Sequence, residues 1–205
     1  MLKKKYQTQK TALANYDYTD IEEGTGVQVY YGAALKTNAA TTYNLSSNKD
    51  YSALISTVKS AAGTTTLNFD STVLNSPKIV RGTAYYSSSL YQEDATGDNV
   101  YLKVQLQKVD GASNVTDISS EIQSNVFSGS VKHGSILIPM PLTQTPLQKG
   151  DLIRLVVKMI KVGATGDCEL THDPMERDGT YLTSSTTAPE ITTKLTVAIP
   201  FDLDL

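Results

Sequence analysis

Apolar and polar residues alternate along several segments of the chain, and this period of two is typical of strands with one buried face. Val100–Lys108 shows the alternation most clearly, between stretches of turn-forming Asp, Gly and Asn. Leu152–Ile160 and Val27–Tyr31 repeat it. The residues predicted to share one face of their strand are Val100, Leu102, Val104 and Leu106; Ile153, Leu155, Val157 and Met159; and Val27, Val29 and Tyr31.

Four further segments are predicted strands: Thr64–Phe69, Lys78–Tyr86, Ser135–Met140 and Ile191–Ile199. The prolines at 139, 141 and 146 lack a backbone N–H, so the strand that reaches them cannot continue in the centre of a sheet. One segment, Asp50–Ala62, is predicted to be a short helix, because Asp50 can cap its first turn. Its apolar residues at helical spacing are Leu54, Ile55 and Val58.

The order of these elements sets the predicted fold class. No strand–helix–strand rhythm is present, which argues against a parallel sheet covered by helices. The sequence therefore predicts an all-β fold: an antiparallel two-sheet sandwich, jelly-roll-like, with an extended N-terminal arm and one short helix. Residues 1–20 are the arm, since they show no apolar periodicity, and residues 21–205 are a single β-sandwich domain.

Composition supports a β fold and removes several function classes. The 205 residues include 26 Thr and 19 Ser, and Thr favours extended backbone through its branched Cβ. A formal net charge of -3 argues against a nucleic-acid partner, which requires clustered Lys and Arg. A single cysteine excludes a disulfide framework, and no apolar run approaches the roughly 20 residues that span a bilayer, so we expect no membrane partner.

Candidate catalytic residues are few. The two histidines, His133 and His172, lie in different predicted loops, and no Gly-x-Ser-x-Gly motif nominates a nucleophile. We therefore expect both histidines on the surface. Asp94 and Asp98 bracket a predicted tight turn instead of facing each other across a cleft, as glycoside hydrolysis requires.

One predicted loop contains enough potential ligands for a metal site. His172, Asp173, Glu176 and Asp178 could supply ligands, but their spacing matches neither a calcium loop nor a zinc helix. We expect a turn at Asp173 with Arg177 paired to a neighbouring carboxylate. The sequence thus predicts no catalytic residue, no cofactor and no metal, and a protein that is not an enzyme.

Tyrosines are the candidate contact residues. The chain has 12 Tyr, 3 Phe and no Trp, so a sugar platform would have to be built from tyrosines. Tyr85 and Tyr86 are adjacent and must face opposite sides of a strand. Tyr91 and Tyr101 are the tyrosines whose replacement would test glycan binding. Partner-binding residues are predicted in the arm, where they are Lys3, Lys4, Lys5, Tyr6, Tyr16 and Tyr18.

Four segments together resemble virion structural proteins of tailed bacteriophages: Asn99–Lys108, Thr145–Leu155, His172–Thr180 and Lys194–Phe201. The Thr-, Ser- and Tyr-rich, nearly Cys-free composition is similar to the jelly-roll auxiliary head proteins of these viruses. The resemblance implies a virion protein that binds the outer capsid lattice, often as a trimer, and cements neighbouring capsomers. Its expected partners are the major capsid protein or other virion proteins and further copies of the chain.

Other functions stay open at this point. One alternative is a fibre, spike or head–tail component with a receptor- or glycan-binding role. Another is a hydrolase whose site is assembled from loops, in which case replacement of His172 would abolish turnover.

Overall fold

The computed structural model describes residues 26–37, 40–92, 98–128, 133–163, 166–177 and 193–203, in which every regular element is a strand. The predicted all-β class is confirmed. The described part of the chain offers no helix long and apolar enough to cross a membrane. The strands are β1 Gly26–Thr37, β2 Ala40–Ser46, β3 Ser56–Lys59, β4 Gly63–Ser71, β5 Lys78–Gln92, β6 Asn99–Val109, β7 Val115–Asp117, β8 Ile122–Gln123, β9 Phe127–Ser128, β10 His133–Leu147, β11 Leu152–Val162, β12 Cys168–Thr171 and β13 Thr196–Leu203.

Hydrogen bonds join these strands into one mixed sheet with the order β3-β12-β5-β13-β1-β2-β4-β11-β6-β7. Strands β8 and β9 also pair with β6, and β10 pairs with β5. All pairs are antiparallel except β2 with β4, which are parallel. The long strand β1 links the two halves of the sheet, because residues 26–31 pair with β13 and residues 31–37 pair with β2.

One apolar core collects the inward side chains of both halves. Every position predicted to face inward from β6 and β11 is buried, which confirms the alternation in those two segments. The other half contributes residues such as Tyr86 and Phe201, and Phe69 of β4 is fully buried with them. Burial of large side chains at about 25 cal/mol per Å² of apolar surface is the main stabilising contribution to such a core.

The predicted helix at Asp50–Ala62 is wrong. Within it, residues 56–59 form β3, which pairs with β12, more than 100 residues later in the chain. Upstream, the Ser52 hydroxyl accepts the Ala34 N–H at 2.8 Å and donates to the Leu54 carbonyl at 2.6 Å. These side-chain bonds to the backbone compete with helical hydrogen bonding and hold the segment against β1.

Strand β10 shows how the prolines limit the sheet. It pairs with β5 along its length, with a register shift between Leu142 and Thr145. On its other edge, the described residues contribute one bridge, Ser119 with Leu142, and one bond from the Thr143 N–H to the Ile118 carbonyl at 2.8 Å. Pro139 and Pro141 therefore lie on a largely unpaired edge strand, which is where a residue without an N–H is tolerated.

Candidate functional site

The outward surface of β1, β13, β5 and β10 is the candidate site. Residues paired across antiparallel strands share a face of the sheet, so the register assigns this surface directly. Its rows of neighbours are Tyr31–Thr196–Ser87–Leu137, Val29–Ala198–Tyr85–Pro139, and Val27–Pro200 with Thr83–Pro141. None of these residues carries a formal charge, and we call the surface the uncharged face.

Large apolar side chains on this face are exposed to solvent. Leu137 is 69% exposed, Val27 65%, Tyr85 50% and Val29 38%. Single exposed apolar residues are common on proteins, but here the exposed side chains of β1, β5 and β10 share one face, with the partly exposed Ala198 and Pro200 of β13 between them. Such a grouping favours an interaction surface.

Alternation along β5 explains why Tyr85 is available for contacts. Tyr86 points the other way, is fully buried and donates its hydroxyl to Ser88 Oγ at 2.8 Å. Burial raises the pKa of Tyr86 well above its usual value. The predicted opposite orientation of the two tyrosines is confirmed.

Charged groups border the uncharged face without entering it. Arg81 and Asp202 form an ion pair at one end, on β5 and β13. At the opposite end the Lys49 ammonium lies 5.8 Å from the centre of the Tyr31 ring. An apolar centre with a polar rim is the usual organisation of a protein–protein interface.

A cavity of about 210 Å³ continues the face beyond the edge of β10. It is lined by residues 135–139 on one side and by residues 122–125 and Phe127 on the other. Leu137 and Pro139 belong both to this cavity and to the uncharged face. A recess of this kind, next to an exposed apolar surface, is suited to accept an anchoring side chain from a partner.

The outward surface of β4, β11 and β6 has a different composition, and we call it the charged face. Arg154 of β11 donates two hydrogen bonds to Asp70 of β4, at 2.6 and 2.8 Å, which raises the pKa of Arg154. Glu121 accepts hydrogen bonds from Lys158 and Lys103, and these two bonds lower the pKa of its carboxyl group. Each charge on this face thus has a partner of opposite sign beside it.

His172 is not on the surface, so that prediction is wrong. Its side chain is fully buried beside the rings of Tyr43 and Phe69. Nε2 is 2.8 Å from the Thr57 hydroxyl, which is 3.0 Å from the Tyr43 hydroxyl. Burial lowers the pKa of His172 to about 4, so the imidazole is neutral at pH 7. The other histidine, His133, begins β10.

The loop after β12 is organised by Asp173, as predicted. This buried carboxylate accepts the Met175 and Arg177 N–H groups and also the Arg177 guanidinium, whose Nε lies 3.1 Å away. Arg177 also stacks over the Tyr51 ring at 4.2 Å and donates to the Ser52 carbonyl. The described residues hold no group of three or more His, Cys, Asp or Glu that could bind a metal ion, and Asp178 lies outside them.

The other titratable residues considered as candidates and described by the structure are buried in the interior. Asp98 is buried with Lys161, whose Nζ is 3.2 Å from it, whereas Asp94 lies outside the described residues. Lys161 also donates to the Ser60 carbonyl at 2.8 Å. Burial raises the pKa of the Cys168 thiol to about 11, so the thiolate that would act as a nucleophile is scarce at pH 7.

The predicted partner-binding residues of the arm, Lys3, Lys4, Lys5, Tyr6, Tyr16 and Tyr18, lie outside the described residues and stay a prediction. Sequence reasoning missed the uncharged face. The alternation of Val27, Val29 and Tyr31 was a signal for part of it, but only strand register joins that part to Tyr85 and Leu137.

No protein-family model and no curated protein matches the chain. Among solved structures, an aminopeptidase from a marine sediment Thaumarchaeota archaeon is similar at 10% identity and a TM-score of 0.50, over 84% of this chain and 36% of that one. A CocE/NonD family hydrolase from Staphylococcus aureus is similar at 10% identity and a TM-score of 0.48, over 83% and 36%. The chain thus spans about a third of the length of these hydrolases.

The likeness to the aminopeptidase corrects one prediction. The expectation that the protein is not an enzyme is wrong: it took a β-rich fold without a recognisable motif as evidence against catalysis, whereas 36% of the aminopeptidase chain has a similar fold. At this level of identity the likeness establishes the fold alone.

Two weaker neighbours belong to other classes. A carbohydrate-binding module in complex with β-1,4-galactotriose is similar at 16% identity and a TM-score of 0.28, over 78% of this chain and 94% of that one. The structure of infectious bursal disease virus, Gx strain, is similar at 9% identity and a TM-score of 0.27, over 83% and 42%. Neither similarity is strong enough to support a conclusion about function.

Proposed function

We propose that the protein is a virion structural protein that decorates a phage capsid, and that it assembles and docks through the uncharged face. The observation that carries the proposal is the group of exposed apolar side chains on β1, β5 and β10, which strand register places on one face of the sheet with β13 between them. The resemblance of four chain segments to tailed-phage virion proteins supports a role in a virion. The proposed partners are further copies of the chain and the major capsid protein.

The dimensions of the face are suited to this role. Strands in a sheet lie about 4.8 Å apart, so β1 and β10 are separated by about 14 Å. Alternate residues along a strand are about 6.8 Å apart, so three rows extend over a similar length. Such a surface can form the apolar centre of an interface, with the Arg81–Asp202 pair and Lys49 at its rim.

The finer architecture is part of the proposal. The two halves of the sheet, joined through β1, enclose the core as the two layers of a jelly-roll-like sandwich. The uncharged and charged faces are then the outer surfaces of opposite layers. This arrangement lets one surface bind a neighbouring copy or the lattice while the other faces solvent, and a closed trimer is the assembly we favour.

Sedimentation combined with capsid binding tests the proposal. We expect the purified full chain to sediment as an oligomer, and to co-sediment with empty phage shells that lack it. The variant Leu137→Glu should be impaired in both, because the substitution places a charge at the centre of the contact. The proposal would be contradicted if the wild-type chain is a monomer and does not co-sediment with the shells at micromolar concentration.

A further inference from the structure

A polar cavity opens on the other side of β1 from the uncharged face. Its volume is about 190 Å³, enough for about six water molecules at ~30 Å³ each. Gln28 and Tyr30 alternate with Val27 and Val29 along β1, so they point into the cavity while the valines point away. The end of β2 and the connection between β4 and β5 supply the other walls.

The floor of the cavity is firmly held. Tyr30 is buried and packs edge-on against Phe201, with ring centres 6.3 Å apart. The Ser71 hydroxyl accepts the Ile153 N–H at 3.0 Å and donates to the Thr72 carbonyl at 2.8 Å. Leu74 exchanges backbone bonds with Asp151 and Gly150, at 2.8 and 2.9 Å. A lining fixed in this way is preorganised for a ligand.

The rim consists of amide and hydroxyl side chains. Ser47, Asn48, Thr72 and Asn75 are exposed there, and each can donate and accept hydrogen bonds. The lining residues, all within the described chain, include no Asp or Glu. The Lys78 ammonium lies at the floor, 5.4 Å from the centre of the Phe201 ring.

We propose that this cavity binds one monosaccharide unit of a glycan. A sugar presents hydroxyl groups that donate and accept, which matches a rim of amides and hydroxyls, and its carbon–hydrogen face suits a floor containing Tyr30 and Leu74. A cationic ligand would be repelled by Lys78. The inference does not depend on the proposed function, because the cavity and the uncharged face lie on opposite sides of β1.

Saturation-transfer NMR on the full chain tests the inference with D-glucose, D-galactose, D-mannose, N-acetylglucosamine and N-acetylneuraminic acid as probes. We expect at least one probe to bind with a Kd near 1 mM, which corresponds to about 4.1 kcal/mol. The double variant Asn48→Ala/Asn75→Ala should weaken that binding at least tenfold while its melting temperature and sedimentation stay unchanged. The matched control, Tyr91→Ala/Tyr101→Ala, should bind as the wild type does.

Two results would overturn the inference. One is the absence of transfer to every probe at 50 mM sugar. The other is binding that survives Asn48→Ala/Asn75→Ala but is lost in Tyr91→Ala/Tyr101→Ala, which would locate the sugar at a different surface. Neither result affects the oligomer or the shell binding, so failure of this inference is distinguishable from failure of the proposed function.

Discussion

The uncharged face and the charged face are built from the same kind of strand, yet only the charged face carries charged side chains at its outward positions. On the charged face Arg154 pairs with Asp70, and Glu121 lies between two lysines. On the uncharged face the corresponding positions hold residues such as Tyr85 and Leu137, with no charged group among them. The inward positions of both halves are mostly apolar and buried.

The difference shows that the inward and outward residues of a strand answer to different requirements. Inward residues are determined by the core, which both halves share, whereas outward residues are determined by what the surface meets. Charged groups that are paired on a surface stay in contact with water and lose little hydration. The charged face therefore has the composition of a surface that faces solvent. We propose that the exposed valine, leucine, proline and tyrosine of the uncharged face are covered after folding by another copy of the chain or by a partner.

The largest expected effect comes from placing charges on the uncharged face. Tyr85→Glu/Leu137→Glu should weaken self-association about a thousandfold or more, equivalent to about 4 kcal/mol, because two carboxylates would be desolvated at the contact. Both positions are outward, so the melting temperature of the subunit should change little. Sedimentation velocity across a concentration series measures the association.

A matched variant on the charged face provides the control. Thr66→Glu/Asn68→Glu introduces the same charge at two exposed outward positions of β4. It should leave the oligomer intact. Equal loss of association in both double variants would show that net charge, and not the location of the face, controls assembly.

A second prediction concerns the shared core. Leu155→Ala beneath the charged face and Ile199→Ala beneath the uncharged face should each lower the free energy of unfolding by about 2–5 kcal/mol, since both side chains are buried. Urea unfolding at equal subunit concentration measures the loss. A cost confined to one half would mean that the halves do not share a cooperative core.

A third prediction concerns His172, which lies near Phe69 in that core. Because burial lowers its pKa from the usual 6.5 to about 4, the unfolded chain takes up a proton at a higher pH than the folded chain does. Stability from this group is complete above pH 6.5 and is lost as the pH falls toward 4, a change of about 3 kcal/mol. Unfolding by urea between pH 7.5 and 4 should reveal this slope.

The control for that experiment is the other histidine of the chain. His133→Gln should keep the pH slope, whereas His172→Gln should flatten it and also lower stability at pH 7. If the slope follows His133, then His172 does not titrate as its burial requires.

The smallest effect is expected on the charged face itself. Glu121→Gln removes the carboxylate between Lys103 and Lys158, and it should cost about 1 kcal/mol or less at pH 7, because these groups are partly hydrated. The pKa of Glu121 is lowered in the folded state, so its contribution is present above the usual pKa of 4.5 and disappears in acid. The cost should shrink in 0.5 M salt, while the sedimentation coefficient stays constant.

The local sequence pattern was sufficient to predict the buried positions of strands that have one solvent-facing side and one core-facing side. Every inward position predicted in β6 and β11 is buried, and Val156, which lies between two of them, is buried as well although it points outward. The same reasoning failed at Leu54, Ile55 and Val58, whose spacing also fits a helix, because the deciding contacts are distant: Ser52 bonds to Ala34, and β3 pairs with β12. Propensity is a weak guide where tertiary contacts of this kind dominate.

The candidate site was less predictable than the core. Each of Val29, Ala198, Tyr85 and Pro139 is unremarkable in its own segment, and they become neighbours only through the register of three strand pairs. His172 illustrates the same limit, since its loop position suggested exposure whereas packing against Tyr43 and Phe69 buries it. Both the uncharged face and the burial of His172 depend on contacts between residues far apart in the chain, which a local sequence pattern does not reveal.

Hydroxyl-radical footprinting of two outward tyrosines tests the central claim most directly. Tyr85 lies on the uncharged face and Tyr101 on the charged face, so each serves as the reference for the other. In the oligomer or on shells, relative to the dissociated subunit, we predict strong protection of Tyr85 and unchanged labelling of Tyr101. Protection of Tyr101 with unchanged labelling of Tyr85 would contradict the assignment of the uncharged face as the contact surface.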